Sequence, residues 1–292
     1  METEPDKQIS LDGVIDMHVH TSPDLIRRAC NDLELTAAAV RAGARAIVIK
    51  GHHCPTAARA ALCNAYNRAA FDSNAFVMYG GLVLNGEAGG LNARAVQTAL
   101  EMGAKVIWLP TVDAENEYHK RGKSGGIRMT DERGVLVPEL RDVFLLIKEY
   151  EAVLATGHIS PEETRCVVDA ARNIGVQKIV VTHPECWVVD MSLEQQNELV
   201  SDYGIVLERC FRQQQKNGVW ISNAAQNLAA IRQLGTANTI LSTGCGDPAV
   251  PSWETSMREY LRYMADHGVD SEALADMTRR LPARLLGLEE AT

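Results

Sequence analysis

Eight short apolar runs, each followed by turn residues and a helix-forming stretch, constrain this chain more than any other feature. They are Val14 to Val19, Arg45 to Lys50, Phe76 to Leu84, Lys105 to Leu109, Ala152 to Thr156, Lys178 to Thr182, Ile205 to Glu208 and Thr239 to Ser242. Such continuous, β-branched runs suit parallel strands covered on both faces. The third is interrupted by Gly80 and Gly81. Helices are expected between the runs, several stopped by a glycine such as Gly43, Gly103, Gly175 or Gly268. Ser160-Pro161-Glu162-Glu163 reads as a cap, a first-turn proline and acidic residues at a helix start. Pro282 should break or kink the last helix, expected from Ser271 to Leu286.

Eight strand–helix alternations predict an α/β protein with a (β/α)8 TIM barrel, an open doubly wound sheet being the alternative. A length of 292 residues suggests about two domains. No linker or shift in composition divides the chain, so one domain is expected: an N-terminal extension at 1–12 and a barrel at 13–292. One long insertion, Val112 to Val137, follows the fourth strand and reads as a lid.

Composition excludes several classes. Hydrophobic residues at 46% and charged residues at 23% are ordinary for a globular fold, not for disorder. The net charge of −9 argues against nucleic-acid and anionic-membrane partners. Seven cysteines, with no C-x-x-C pair, read as free thiols in a reducing compartment. Met1 to Leu11 has no signal-peptide character, and no stretch of apolar residues is long enough to span a bilayer. A cytoplasmic enzyme acting on a small molecule, and forming a homo-oligomer by analogy with other barrels, is the expectation.

The strand ends carry the chemistry, because barrel active sites form at the C-terminal ends of the strands. The first run ends in Asp16-Met17-His18-Val19-His20, the second in Lys50-Gly51-His52-His53, the fifth in Thr156-Gly157-His158 and the sixth in Thr182-His183-Pro184. The seventh ends at Glu208, and the eighth is followed by Gly244-Cys245-Gly246-Asp247. Neutral imidazoles with a carboxylate suit Zn²⁺ and related ions. His18, His20, His158, His183 and Asp247 are therefore candidate metal ligands. His52, His53, Glu208, Asn85 after the third strand, and Arg128 on the insertion are candidate substrate contacts. Asp16 is assigned to the opposite face, as support or barrel-to-helix structure, and Cys245 to structure.

This pattern resembles the amidohydrolase superfamily of metal-dependent hydrolases. The family places H-x-H after the first strand, one His after each of the fifth and sixth, and Asp after the eighth. His18, His20, His158, His183 and Asp247 fall on those slots in order. The run from Met277 to Leu288 resembles the family's closing segment under the barrel, so the resemblance spans roughly 14–288. It implies that Asp247 serves as general base and then acid, with His183 polarising the scissile bond. The sequence departs from the family at the fourth strand. That strand ends in Trp108-Leu109-Pro110-Thr111 and lacks the Lys or Glu that bridges two metals in binuclear members. Lys50 is the candidate carboxylated bridge from a different strand, or a substrate contact if one ion binds. The implied cofactor is one or two divalent ions, zinc first, with Mn or Fe open.

The expected reaction is attack of metal-activated water on an amide, lactone or cyclic amide. A decarboxylase, or an Fe- or Mn-dependent oxygenase, is the alternative on the same site. Phosphoester hydrolysis is disfavoured because no cluster of Arg and Lys is visible at the mouth. A non-catalytic metal-binding subunit is the reading outside enzymology.

Overall fold

The computed structural model describes residues 9–288. Its strands are β1 (Ile15–Val19), β2 (Ala46–Ile49), β3 (Val77–Tyr79), β4 (Gly81–Val83), β5 (Val106–Trp108), β6 (Val153–Ala155), β7 (Ile179–Thr182), β8 (Val206–Cys210), β9 (Arg212–Gln214), β10 (Trp220–Ser222) and β11 (Thr239–Ser242). Its helices are α1 (Asp32–Ala42), α2 (Ala57–Phe71), α3 (Ala93–Glu101), α4 (Glu115–Lys120), α5 (Glu139–Glu149), α6 (Pro161–Ile174), α7 (Leu193–Tyr203), α8 (Ala224–Leu234), α9 (Trp253–Asp266), α10 (Ser271–Ala275) and α11 (Leu281–Leu286). Each of the eight apolar runs forms strand where it was expected.

The strands follow one another in chain order, all in parallel, as β1-β2-β3 and β4-β5-β6-β7-β8-β11. β3 and β4 are two halves of one strand, the first paired to β2 and the second to β5. Glycine permits the break. A Cβ on Gly80 would lie 2.4 Å from the carbonyl carbon of Thr56, and one on Gly81 would lie 2.4 Å from the Trp108 ring. Between β11 and β1 the ring closes through hydrogen bonds beyond the strand ends. Gly244 N donates to His18 O at 3.0 Å, and His20 N donates to Cys245 O at 2.7 Å. The result is the (β/α)8 barrel.

Alternation along the strands divides the core. Ile15, Ala46, Val48, Val83, Val106, Trp108, Val153, Val180, Val206 and Ile240 share one buried cluster inside the barrel. Their neighbours, among them Ile47, Ile107, Leu154, Val181, Leu207 and Leu241, pack outward against helices. Leu281, Ala283, Leu285 and Leu286 join the interior cluster. The C-terminal segment thus plugs the barrel floor. Pro282 does not end that helix. A π-helical turn, Asp276–Arg280, precedes it, and Leu281 N donates five residues back to Asp276 O. One looser turn accommodates the proline without ending the helical run.

Two elements were not expected. The insertion holds α4, tied down by bridges Ala114–Ile127 and Thr130–Leu136. An antiparallel hairpin, β9–β10, follows β8. Of the expected N-terminal extension, residues 1–8 lie outside the described residues, while Leu11 is buried in the outer core. All seven cysteines are free. Among the described residues no helix is long and apolar enough to cross a membrane.

Candidate metal centre

Five imidazoles form a ring at the C-terminal end of the barrel. Ring centroids are 5.1 Å apart for His18–His20, 4.8 Å for His20–His52, 6.1 Å for His52–His158, 5.0 Å for His158–His183 and 5.8 Å for His183–His18. All five line one cavity of about 260 Å³, together with Lys50 and Asp247. Simple alternation would put Asp16 and His18 on the same side of β1. The pairing of β1 with β2 shifts register between Asp16 and Val19, and the irregularity resets the phase. Met17 packs inside and His18 lines the cavity. Asp16 turns outward, accepting from Trp253 Nε1 at 2.9 Å, Thr243 Oγ1 at 2.7 Å and His18 N at 3.0 Å. Burial pushes its carboxyl up to about 7, against the pull of these donors.

Hydrogen bonds fix the tautomers. His20 Nδ1 donates to the Lys50 carbonyl at 2.9 Å, and His18 Nδ1 donates to the Glu208 carboxylate at 3.1 Å. Each therefore keeps its proton on Nδ1 and presents a bare lone pair on Nε2. The two Nε2 atoms face each other at 3.2 Å. Two lone pairs at that separation repel unless a cation lies beside them, a place that the Lys50 ammonium, 3.3 Å from His18 Nε2, or a metal ion can take. Two nitrogens on one tetrahedral Zn²⁺ are roughly 3.3 Å apart, given Zn–N bonds of about 2.0–2.1 Å. Burial, reinforced by the nearby Lys50 charge, holds both rings well below the ordinary imidazole range, which keeps them neutral ligands. Across the cavity His158 Nδ1 is bonded to Glu117, and His183 Nδ1 is buried without a hydrogen-bond partner. His183 also has a φ of +31°, unusual for a side-chain-bearing residue and a sign of a constrained position.

Lys50 follows Ala46 and Val48 in the inward phase of β2, so its stem continues up the interior wall. It is 1% exposed. Its Nζ lies 3.3 Å from His18 Nε2 and 5.4 Å above the Trp108 ring. Its charge adds to burial in lowering all five imidazoles. Burial brings its ammonium down to about 8, partly opposed by Glu208. Glu208 follows Val206 inward in the same way. Ser242 Oγ donates to it at 2.8 Å, and burial raises it to about 7 while Lys50 pulls it down. His18, Glu208 and Cys210 also cluster closely enough to hold an ion. The bond from His18 Nδ1 to Glu208 makes that group the backing of the ligand, the usual carboxylate behind a metal-bound imidazole.

The insertion supplies a residue that the sequence does not single out. Glu117 on α4 is 2% exposed and accepts from His158 Nδ1. Burial raises its carboxyl, but His158 and Arg121 outweigh that and hold it below the usual range. Asn116 anchors the helix by donating to His158 O at 2.9 Å and Val188 O at 2.7 Å. The signal was an acidic pair, Glu115 and Glu117, in an insertion next to a strand end. Only tertiary docking chooses between them.

The expected site residues sort as follows. His18, His20, Lys50, His52, His158, His183 and Asp247 line the same cavity, with Glu208 buried behind His18. Asp247 lies five residues beyond β11, its Oδ1 accepting from Ala249 N at 2.8 Å. The loop reaches the site because Gly246 packs on the His20 backbone with φ +137°, where any Cβ would lie 2.2 Å from His20 O. Asn85 does not face the cavity. Its amide bonds Thr111 Oγ1 at 2.8 Å and His52 O at 2.9 Å, while Thr111 lies 2.8 Å from His52 Nδ1, so it positions His52. His53 turns to Glu87 at 3.2 Å, and Arg128 to Glu115 at 3.2 Å; neither lines the cavity. Cys245 is buried. The expectation of a mouth without basic residues does not hold, for Arg28, Arg121 and Arg212 all line it. These come from loops, α4 and the hairpin, where periodicity carries no information.

Fold and cluster together define a (β/α)8 barrel with a histidine-lined cavity at the C-terminal ends of its strands. The profile of a family described as a family of unknown function (DUF6282) matches residues 13–208, and the chain belongs to that family. No curated protein matches it in sequence. Among solved structures it is similar to an organophosphorus hydrolase from Deinococcus radiodurans, with 15% identity, TM-score 0.61, and 95% of this chain and 93% of that one covered. It is also similar to an amidohydrolase from Pseudomonas aeruginosa, with 11% identity, TM-score 0.65 and coverage of 94% and 95%. An N-acetyl-D-glucosamine-6-phosphate deacetylase from Mycobacterium smegmatis shares 17% identity at TM-score 0.57, covering 95% of this chain and 76% of that one. These likenesses establish the fold.

Proposed function

We propose that this protein is a metal-dependent hydrolase acting on an amide, lactone or cyclic amide bond of a small molecule. One observation carries the reading: His18 and His20, each with its proton fixed on Nδ1, point unprotonated Nε2 atoms at one another across 3.2 Å. The hydrolases and deacetylase that share the fold support it.

His18, His20 and Asp247 would hold one ion, and His158 and His183 a second. Zinc suits neutral imidazoles with a carboxylate best, and Mn or Fe shares the same donors. A divalent ion bound there lowers the pKa of water towards about 7 and polarises a carbonyl oxygen. The protein's own groups do the rest. Asp247 takes the proton of the attacking water and returns it to the leaving group. His183, held by its loop with an unpaired Nδ1, adds to the polarisation of the scissile bond. Glu208 and Glu117 hold His18 and His158 in their ligating tautomers.

Lys50 is the proposed bridge, in carboxylated form. Its ammonium and a metal ion would compete for the same His18 lone pair, so a bound ion requires Lys50 to give up its positive charge. Reaction of the neutral amine with carbon dioxide forms an N–C bond, releases a proton and leaves an anion amid the imidazoles.

The test is turnover of a panel of lactones, cyclic imides and N-acyl compounds by protein loaded with Zn²⁺ or Mn²⁺, beside Asp247→Asn. Hydrolysis by the wild type, lost by about 10²-fold or more in the variant, is expected. Hydrolysis that survives the substitution, or no turnover of any member by the metal-loaded protein, would overturn the reading.

A further inference from the structure

We infer that the substrate carries a carboxylate and that Arg28 is the residue that recognises it. The inference rests on the cavity being the substrate site, as proposed above, and adds the chemical class of its occupant.

The loop after β1 is built inside out. Leu25 is 79% exposed and Ile26 41%, while the Arg28 side chain is only 5% exposed. Packing alone would favour the reverse. Arg28 lines the cavity, and its charge reaches His18, His20 and His52. Its protein partner uses only part of it. Asp24 Oδ2 accepts from Nε at 2.8 Å, and Nη2 lies 2.6 Å from that same oxygen but makes no well-angled hydrogen bond. A guanidinium that lines the cavity and is engaged by its acidic partner only on the Nε–Nη2 side suits a planar carboxylate.

The surroundings agree. The protein carries −9 overall, yet Arg28, Lys50, Arg121 and Arg212 line this cavity against Glu117 and Asp247. Arg121 is paired to Glu117 at 2.7 Å, Arg212 to Glu259 and Arg28 to Asp24, and Glu208 opposes Lys50, so each cation at the wall has an acidic partner that an incoming anion must share. Trp187, Trp220 and Ile26 complete the wall and offer apolar area to the rest of the molecule.

The experiment is calorimetric titration with phenylacetate, its neutral isostere phenylacetamide, and phenyl phosphate. Each is titrated into metal-loaded and chelator-stripped protein, as wild type, Arg28→Met and Asp24→Asn/Arg28→Met. The double variant removes both buried charges, and it decides the matter if the single one fails to fold. Metal per chain is counted in each sample, so loss of the metal centre and loss of carboxylate recognition are read separately. In both metal states phenylacetate should bind about tenfold or more tighter than the amide, the loss expected when a charge-assisted pair is removed. Substitution should abolish that difference and leave the metal count unchanged. A preference that survives the substitutions, or that appears only with metal present, would overturn the assignment. So would tighter binding of phenyl phosphate than of phenylacetate.

Discussion

The chelating power of His18 and His20 comes from the atoms behind them. An imidazole becomes a ligand when its other nitrogen is committed, and Glu208 and the Lys50 carbonyl make that commitment. Glu208→Gln keeps the shape but weakens the acceptor. We expect a loss of metal affinity of about 10–100-fold, read by competition with a chromogenic chelator. Glu117→Gln should do the same at the His158–His183 side, which would show that the insertion completes the centre. Asp16 acts on stability instead. Asp16→Ala leaves donors from Trp253, Thr243 and the His18 amide unpaired in the core, at a cost of about 3–5 kcal/mol in urea unfolding. At this scale the sequence was most legible where residue type and strand phase coincide. Lys50 and Glu208 stand at the ends of strands whose inward phase can be counted, and the H-x-H spacing keeps His18 and His20 on one side together. Arg28 and Glu117 were not legible, because nothing local distinguishes them from solvated loop charges.

Elements place these side chains through a few irregularities. The register shift in β1 turns His18 into the cavity and Asp16 out of it, which strict alternation cannot foresee. Gly80 splits the third barrel strand against the start of α2. Gly80→Ala should therefore destabilise by about 1–3 kcal/mol, seen as a lower unfolding midpoint, since the obstructing atoms are backbone and cannot rotate away. The strands and most helices could be read from periodicity and capping residues. The β9–β10 hairpin could not. Its strands are three residues each, and Trp187 Nε1 docks it by donating to Gln214 O at 2.8 Å, a contact without local signature.

The whole molecule converts eight separated strand ends into one ring, so ligands distant in sequence meet at a few ångströms. Count and order of the β–α units made the barrel legible from the sequence. The loops that shape the cavity walls were not, since their course depends on what they pack against. A metal held by several elements should also stabilise them together. At a free concentration about a hundred times its dissociation constant, Zn²⁺ should raise the melting temperature of stripped protein by about 5–10 °C. His18→Ala/His20→Ala should remove most of that gain. The most direct test of the account is elemental analysis of the purified protein beside this double variant. The account predicts one or two divalent ions per chain, at least one of them lost with the two histidines. No metal after growth in supplemented medium, or a count unchanged by the substitution, would contradict it.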